Sequence, residues 1–401
     1  MQIVRRLYAT VFATLLTCSA CSDPATDASP RASSLSVSNA LGDGIIEGYA
    51  RAIEPPALSF PRDHGPHPEF RTEWWYVTGN VTAAASGRRF GIQLVFFRQA
   101  LAATTPKRAA SMAARDLIFA HAAVVDIDGK RFAHAERMAR SDGLLGYIQG
   151  GSQGDGADAT PLAIGCADWS ATAHSADDLL PLVLRAGDDG HEHSQNPFSF
   201  ELTASPGTKP IVLQGDRGLS QKSAERGNAS IYYSMTRLPL AGTISIAGEK
   251  HEVAGLGWID REWSTSALGK DQVGWDWFSL QLDDETEVMW YRLRREDGSS
   301  DPWSRGCFVH KDGTASRLDP AKVTAEPSGQ WTAADGAATY PSRWRLQCSD
   351  PPFDLEVTPA LADQELRTLV RYWEGSVDVR GTRAGRPVRG RGYLEMTGYA
   401  K

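Results

Sequence analysis

The sequence lacks the signals of several common classes of protein. Arginine and lysine total 42 against 49 aspartate and glutamate residues, so the excess of positive charge that binds nucleic acid is missing. After the first twenty residues no run reaches about 18 apolar residues, so no transmembrane helix is expected. Residues 149–156 are rich in glycine but lack the lysine of a phosphate-binding loop. What remains is a globular composition with 41% hydrophobic residues, which excludes wholesale disorder.

Metal and disulfide signals are also weak. His191 and His193 lie in a polar loop, and two histidines without a third ligand do not make a zinc site. The sequence therefore predicts neither a metal nor another cofactor. Three cysteines follow residue 21, so at least one is expected to be free. Cys307 and Cys348 lie in the same later region and could pair, which would leave Cys166 alone.

The first 45 residues are typical of an exported lipoprotein. Arg5 and Arg6 precede an uncharged, largely apolar stretch, residues 7–16, which is too short to cross a membrane but suits a signal peptide over residues 1–20. The small residues before Cys21 resemble a lipobox, which predicts cleavage there and acylation of Cys21. Residues 21–45 would form a flexible tether. We expect a lipid-anchored protein of the bacterial cell envelope, outside the cytoplasm; the alternative is an ordinary secreted protein.

Strand signals dominate the rest of the chain, which has 12 tryptophans and 38 glycines. Residues 73–79 and 90–98 are aromatic and β-branched, as strands commonly are. Asp128-Gly129 separates two further strand-like segments and predicts a hairpin. Pro359–Val370 is one short helix candidate. The pattern predicts an all-β fold.

Three pairs of short motifs recur in order at offsets of 184 to 189 residues. The pairs are Glu73-Trp74 with Glu262-Trp263, Phe90-x-x-Gln93-Leu94 with Phe278-x-x-Gln281-Leu282, and Asp128-Gly129 with Asp312-Gly313. If they are not a coincidence, they indicate a duplicated, domain-sized unit. We predict two tandem antiparallel β-barrels, in domains 46–238 and 239–401, because closed barrels leave no exposed strand edges.

The later unit contains a strand with one carboxylate on an apolar face. Side chains alternate between the two faces of a strand, so Asp276 shares a face with Phe278, Leu280 and Leu282. Trp275 and Trp277 then lie on the opposite face. We expect the face that carries Asp276 to point into the barrel.

Four blocks in order along the chain carry a family resemblance: Phe60–Tyr76, Gly257–Ser264, Gly274–Phe278 and Gly392–Tyr399. Together they resemble the family that groups the AttH proteins with carotenoid 1,2-hydratase (hydroxyneurosporene synthase), over about residues 55–399. The resemblance implies two lipocalin-like barrels in tandem, which agrees with the internal repeat. It also implies an apolar ligand, since such barrels can hold one small molecule.

The hydratases of this family add water to an isolated carbon–carbon double bond. That chemistry requires a proton donor in a dry pocket and aromatic faces beside the resulting cation. Asp276 is the candidate donor, with Trp263 and Tyr291 as candidate aromatic groups. The predicted ligand contacts are Trp263, Phe278, Leu280 and Tyr291.

Arg261 is a departure from the family. Its members commonly read Asp-His-Glu-Trp where this chain has Asp260-Arg261-Glu262-Trp263. The histidine appears beside the proton donor of the hydratases, and an arginine cannot exchange a proton at neutral pH. This difference argues against carotenoid hydration by that mechanism. Asp276 would then be a structural carboxylate paired with Arg261, Arg292 or Arg294.

Three further acidic residues have structural or binding interpretations. Glu73 and Glu262 occupy matching places in the predicted repeat, so each is interpreted as a buried anchor for an arginine such as Arg98 or Arg294. Asp260 and Glu262 are two residues apart and share a face on a strand. They could bind a cation or flank a substrate.

These features lead to three functional hypotheses. The first is a membrane-anchored, lipocalin-like protein that binds an apolar, isoprenoid- or lipid-like small molecule in a barrel. The second is a hydro-lyase that adds water to an isoprenoid double bond with Asp276 as acid. The third is an accessory lipoprotein of an ABC transporter in the envelope.

Overall fold

The computed structural model describes residues 46–104, 114–151, 160–190, 196–266 and 268–400. The predicted signal peptide, the tether, the acylation site Cys21, and His191 and His193 lie outside the described residues. Within the described ranges, no helix has the length and hydropathy to span a bilayer.

The described chain is made of β-strands and two 3₁₀ turns, Arg62–His64 and Pro320–Lys322. The first strands are β1 Thr72–Ala83, β2 Arg89–Ala100, β3 Asp116–Asp126, β4 Arg131–Arg140, β5 Gly146–Gln149, β6 Ala163–Cys166, β7 Trp169–Ala173, β8 Leu182–Asp188, β9 Phe198–Ala204, β10 Val212–Leu213, β11 Leu219–Gln221, β12 Ala229–Ile246 and β13 Glu249–Ser264. The later strands are β14 Gln272–Leu282, β15 Glu287–Arg295, β16 Arg305–Val309, β17 Ala315–Arg317, β18 Val323–Thr332, β19 Thr339–Ser349, β20 Pro352–Pro359, β21 Glu365–Arg367, β22 Arg371–Arg383 and β23 Arg386–Met396.

These strands form two antiparallel sheets of the lipocalin-like kind. The main order of the first is β4-β3-β2-β1-β13-β12-β9-β8-β7-β6-β5, and that of the second is β17-β16-β15-β14-β23-β22-β20-β19-β18. In the first sheet the two ends come together, since Ser141 bridges Gly146. The prediction of an all-β fold with two tandem barrels is confirmed.

The internal repeat is present in the strand order of the two sheets, but the strands that correspond are not the ones that the sequence motifs suggested. Glu73 on β1 and Glu262 on β13 lie on hydrogen-bonded neighbouring strands of the first sheet. In the second sheet, the place of β1 is taken by β14 and that of β13 by β23. The two Glu-Trp motifs are therefore not equivalent positions, and the matching carboxylates belong to one sheet.

The sheets divide later in the chain than residues 238 and 239, which lie inside β12. The long hairpin of β12 and β13 stays with the first sheet because β13 pairs with β1 along twelve residues. The chain enters the second sheet at β14. The change of sheet therefore falls between Ser264 and Gln272.

Side chains fill the interior of both barrels. In the second barrel Phe278, Leu280 and Leu282 pack with Trp344 and are almost completely buried. A larger apolar cluster fills the first barrel in the same way. Phe278 and Leu280, predicted to contact a ligand, are thus core residues whose neighbours are other side chains of the barrel.

Asp276 lies on the same interior face of β14 and is fully buried. Its Oδ2 accepts a hydrogen bond from Arg292 Nη1 at 2.8 Å, and its Oδ1 accepts one from Arg294 Nη1 at 3.2 Å. The hydroxyl of Tyr399 donates to Oδ1 at 2.9 Å. A carboxylate that bridges two buried guanidinium groups links β14 with β15 at this end of the barrel. These contacts are the ones that the structural alternative predicts for Asp276, with Arg292 and Arg294 as its partners.

Three local predictions can be compared directly with the structure. The Asp128-Gly129 hairpin is confirmed, since it joins β3 to β4 with Asp126 opposite Arg131. The helix over 359–370 is wrong, because this segment contains β21, which pairs with β22. Cys307 and Cys348 do not pair: both are free and buried, one in the cluster between the barrels and the other in the core of the second barrel.

The ion pairs of Asp276 yield a stability prediction. Asp276→Asn leaves two buried guanidinium groups without their counter-charge, so the free energy of unfolding should fall by about 3 kcal/mol in urea titrations. The matched control is Asp354→Asn, which breaks an exposed pair with Arg345 and should cost much less. Equal losses in the two variants would contradict the structural role of Asp276.

Candidate functional site

The two barrels meet through a cluster of buried rings and apolar side chains. Tyr76 and Trp258 contribute to it from the first barrel, and Trp277, Tyr291 and Tyr393 from the second. The rings of Tyr76 and Trp277 meet edge to face, with centroids 5.2 Å apart. The interface is therefore a third apolar core, outside both barrels.

A cleft of about 80 Å³ lies at one end of this interface. Seven aromatic side chains line it: Trp74, Tyr76, Phe97, Tyr232, Trp275, Trp277 and Tyr291. Four charged or ionisable side chains line it as well: Lys222, Asp260, Glu262 and Glu395. The combination of an aromatic wall and convergent polar groups is typical of a small-molecule site.

Strand alternation explains how these side chains reach the cleft. On β14, Asp276 and Phe278 point into the barrel, so Trp275 and Trp277 point to the interface. On β13, Asp260 and Glu262 share the interface side, as their spacing predicted. One face of each strand builds a barrel core and the other builds the cleft.

Asp260 is held by three hydrogen-bond donors. Ser234 Oγ and Trp258 Nε1 donate to its Oδ1 at 2.6 and 2.7 Å, and the hydroxyl of Tyr232 donates to its Oδ2 at 2.5 Å. Burial raises the pKa of Asp260 to about 7, although these donors favour the carboxylate. Both oxygens are engaged, so Asp260 is a fixed acceptor that can receive a proton near neutral pH.

Glu395 is less tightly held than Asp260. Burial raises the pKa of Glu395 to about 7, and the charges of Glu262 and Asp260 act in the same direction. The Nε1 of Trp275 donates to Glu395 Oε2 at 3.1 Å. With this pKa, a substantial fraction of the Glu395 carboxyl groups is protonated near pH 7, in a cleft lined by aromatic rings. Among the cleft residues described, Glu395 is the best placed to donate a proton.

Glu374 lies directly opposite Glu395 on the neighbouring strand β22. Burial, followed by the charge of Glu395, raises the pKa of Glu374 well above its usual value. The hydroxyl of Tyr76 and the Nε2 of Gln93 donate hydrogen bonds to it, the second at 2.5 Å. Both donors belong to the first barrel, so a largely neutral glutamic acid joins the two barrels.

A chain of hydrogen bonds continues from Gln93 toward the surface. Gln93 Nε2 donates to the hydroxyl of Tyr372 at 3.1 Å, which lies 2.8 Å from His121 Nδ1. His121 Nε2 is 2.9 Å from a carboxylate oxygen of Glu136, a partly exposed residue. This chain connects the buried acid Glu374 with the outside of the first barrel.

Lys222 places one positive charge beside the cleft. Its Nζ lies 3.1 Å from Glu262 Oε1 and 4.1 Å from the ring centroid of Tyr291. Burial opposes the ammonium form, but the charge of Glu262 and then Tyr291 outweigh it and raise the pKa of Lys222. Glu262 therefore pairs with a lysine, where the sequence suggested an arginine such as Arg294.

The structure brings some predicted site residues together and separates others. Tyr291 lines the cleft and its hydroxyl lies 2.9 Å from Ser220 Oγ. Trp263 packs instead with Tyr233 and stacks on His67, with centroids 3.8 Å apart. Since Trp263 follows Glu262 directly, alternation sends it to the other face of β13. Trp263 therefore belongs to a neighbouring apolar cluster and not to the cleft.

Glu73 and Arg261 anchor the segment before β1. Arg98 Nε donates to Glu73 Oε1 at 2.6 Å, and Arg261 contacts the other oxygen. Arg261 Nη2 also donates to the carbonyl oxygen of Gly65 at 2.6 Å, and its guanidinium lies over the ring of Trp75. Glu73 and Arg261 therefore hold the segment before β1 against the first sheet, as expected for structural residues.

Sequence reasoning missed Glu395, Lys222 and Tyr232. For Glu395 a signal existed, since β23 resembles the closing strand of the family and alternation places Tyr393 and Glu395 on one face. Lys222 follows the three-residue strand β11, where no periodicity exists to read. Within the described part of the chain, no group of three or more His, Cys, Asp or Glu side chains is arranged to hold a metal ion.

The fold defines a tandem lipocalin-like protein, and an aromatic cleft lies between its barrels. The chain matches the family described as AttH-like over residues 51–399, and it belongs to that family. None of the curated proteins compared with the chain matches it.

Solved structures place the chain among proteins of the same fold. A protein identified as an AttH from Nitrosomonas europaea is 32% identical, with a TM-score of 0.72 over 88% of this chain and 100% of that one. Kievitone hydratase from Nectria haematococca is 16% identical, with a TM-score of 0.64 over 88% and 97% of the two chains. CghA is 14% identical, with a TM-score of 0.52 over 90% and 97%. The last two likenesses show the fold alone.

The raised pKa of Glu395 yields a pH prediction. In the folded protein the pKa of Glu395 is about 7, above its ordinary value of 4.5. The protonated group therefore makes its full contribution to the free energy of unfolding below about pH 4.5, and this contribution is lost as the pH rises to about 7. Glu395→Gln should lessen the fall in unfolding free energy across this range by roughly 3 kcal/mol, measured by urea titration at several pH values.

Glu249→Gln is the control for this experiment. Arg88 lowers the pKa of Glu249, an exposed residue, so its removal should not lessen the fall. An unchanged pH dependence in Glu395→Gln would show that Glu395 is ionised at neutral pH.

Proposed function

We propose that this AttH-family protein binds the end of an apolar, isoprenoid- or lipid-like molecule in the cleft between its two barrels. The observation that carries the proposal is the cleft itself, with aromatic walls from both barrels and two acids of raised pKa. The barrels are filled with their own side chains, so the binding place moves from a barrel interior, as first predicted, to the interface.

The size of the cleft limits what enters it. A volume of about 80 Å³ is smaller than the roughly 150 Å³ cavity that accepts benzene in an engineered protein. A short branched end group is the kind of structure that suits such a space, with the remainder of the molecule outside. Ser230 Oγ lines the cleft and has no hydrogen-bond partner among the described residues, so it is available to a polar atom of the ligand.

We also propose that the protein acts in the cell envelope, attached to a membrane through an acylated Cys21. This proposal rests on the lipobox-like sequence and the polar tether alone. A membrane-attached protein would meet apolar molecules where they are concentrated, which agrees with an apolar cleft.

Ligand binding should quench tryptophan fluorescence, because Trp275 and Trp277 line the cleft. Titration with short isoprenoids and single-chain lipids should give saturable quenching. Trp275→Phe combined with Trp277→Phe should remove most of that signal. Trp331→Phe is the control, since Trp331 lies on β18 and is not a cleft residue.

Ser230→Val tests whether the quenching reports the cleft. The larger apolar side chain of valine would fill part of the cavity and remove the free hydroxyl, so the apparent Kd should rise at least about tenfold, with thermal unfolding as the check that the variant is folded. Absence of quenching by the whole panel, or quenching that is unchanged in folded Ser230→Val, would reject the proposed binding site.

A second candidate function is acid-catalysed addition of water to a carbon–carbon double bond. The specific observation in its favour is the raised pKa of Glu395 beside the rings of Trp275 and Trp277. Glu395 would transfer its proton to one alkene carbon, and the aromatic faces would stabilise the cation on the other. Water would then form the carbon–oxygen bond and give a proton to Asp260. The Glu395 carboxylate would later regain a proton from solvent as Asp260 releases one.

The hydratase candidate predicts a product heavier by one water. Incubation with acyclic carotenoids and shorter isoprenoid alkenes, followed by mass spectrometry, should detect it. Glu395→Gln should lower the rate at least about a hundredfold, the usual range for loss of a general acid. Asp276→Asn, compared per folded molecule, should retain the activity. If no alkene gives a product, the hydratase candidate is rejected and ligand binding remains the proposed function. If Asp276→Asn loses the activity and Glu395→Gln keeps it, the acid is Asp276, as first predicted, and not Glu395.

A further inference from the structure

The opposite end of the barrel interface carries a groove rich in arginine. It has a volume of about 500 Å³ and is lined from both barrels. Its arginines are Arg89, Arg237, Arg380, Arg389 and Arg391, and its acidic residues are Asp283 and Asp378. It is separate from the aromatic cleft, since the two share no lining residue.

Both aspartates of the groove are already engaged. Asp378 accepts hydrogen bonds from Arg89 of the other barrel, at 2.5 Å to Oδ1 and 3.3 Å to Oδ2. Asp283 Oδ1 accepts one from the backbone N–H of Arg389 at 3.1 Å. Asp378 is therefore paired with Arg89, and Arg237 pairs with Glu287 outside the groove lining. Asp283 contacts only an uncharged N–H group, so among the described lining residues one unpaired carboxylate faces the three remaining arginines.

Three arginines lack a carboxylate partner in the described part of the chain. Arg380 on β22 lies directly opposite Arg389 on β23, and neither forms an ion pair with a described residue. Like charges at opposed positions destabilise a strand pair. Arg391 faces the same groove and donates only to the hydroxyl of Thr82, at 3.3 Å. Burial, and then the charge of Arg89, lower the pKa of Arg391.

One detail shows a donor that is available to a small anion. The Nε of Arg89 is buried and has no acceptor among the described residues. Because a buried N–H group normally has a hydrogen-bond partner, this atom could be satisfied by an acceptor oxygen bound in the groove.

We propose that this groove binds a phosphate-type anion, held by Arg391 together with Arg380 and Arg389. A tetrahedral oxyanion offers several acceptor oxygens, and guanidinium groups from adjacent strands can contact different ones. The anion would neutralise the opposed arginines and accept a hydrogen bond from the unpaired Nε of Arg89. The source could be the head group of an anionic phospholipid or a soluble phosphate compound, which share this chemistry.

The first arm of the test uses inorganic phosphate and pyrophosphate with the full chain, by calorimetry at constant ionic strength. Arg391→Gln, and separately Arg380→Gln with Arg389→Gln, should weaken binding at least about tenfold each, as expected for lost hydrogen bonds to charged groups. The control is Arg185→Gln with Arg317→Gln, which removes two exposed arginines outside the groove and should bind as the parent protein. Thermal unfolding checks that each variant is folded.

The second arm distinguishes the two sources. Vesicles of phosphatidylcholine with phosphatidylglycerol, compared with phosphatidylcholine alone, report binding to a lipid head group. Binding to the anionic vesicles that falls in both groove variants but not in the control supports the lipid source. Binding of phosphate or pyrophosphate alone, with the same pattern, supports the soluble one. No binding in either arm, or equal binding in groove variants and control, overturns the proposal. None of these outcomes depends on the aromatic cleft, so the two proposed sites stand or fall separately.

Discussion

The strands at the centre of each sheet are buried on both faces, and this constraint determines where the site lies. On β14 one face carries Phe278 and Leu280 into the barrel, while the other carries Trp275 and Trp277 into the interface. An ordinary barrel strand would turn its second face to water and carry polar side chains there. Here the second barrel replaces the water, so polar groups on that face lose solvent. The same burial that packs the interface raises the pKa of Asp260 and Glu395.

The two barrels contribute to the cleft through corresponding strands. In the first sheet Tyr76 on β1 lies opposite Asp260 on β13, and in the second Trp277 on β14 lies opposite Glu395 on β23. The two rings touch each other, so these paired positions meet across the interface. Each of these two strand pairs therefore places one ring and one acid side by side at the cleft. The surroundings then differ, since three donors hold Asp260 while Glu395 accepts from one indole.

Much of the fold could be predicted from the sequence, because alternation and turn residues are local signals. The Asp128-Gly129 hairpin, the all-β class and the opposite faces of Asp276 and Trp277 all follow from neighbours in the chain. The register of the repeat could not be predicted that way. Glu73 and Glu262 look equivalent in sequence, but their strands pair with each other across about 190 residues.

The candidate site was only partly predictable, for a related reason. From the sequence, a carboxylate on the interior face of a strand is naturally interpreted as a buried acid, and Asp276 was interpreted in this way. Its ion pairs with Arg292 and Arg294 become visible only when the neighbouring strand is in place. The pKa of Glu395 is raised by burial in the interface, which forms only when the second barrel packs against the first. No single strand carries that information. The sequence singled out Tyr291, Asp260 and Glu262 because each lies on a strand with a clear alternation of side chains. Lys222 lies outside such a strand, so no pattern pointed to it.

The separation of charges along the interface explains why its acids can stay protonated. The arginines of the groove lie toward Thr82, six residues along β1 from Tyr76, which corresponds to about 20 Å. Asn80 occupies the stretch between them and donates to the carbonyl oxygen of Gly392 at 3.1 Å.

At the aromatic end the described cation is Lys222, and Glu262 already neutralises it. A guanidinium close to Glu395 would stabilise its carboxylate and lower its pKa. Keeping arginine at one end and aromatic rings at the other is therefore consistent with the raised pKa of Glu395, and it gathers the arginines where the proposed anion would bind.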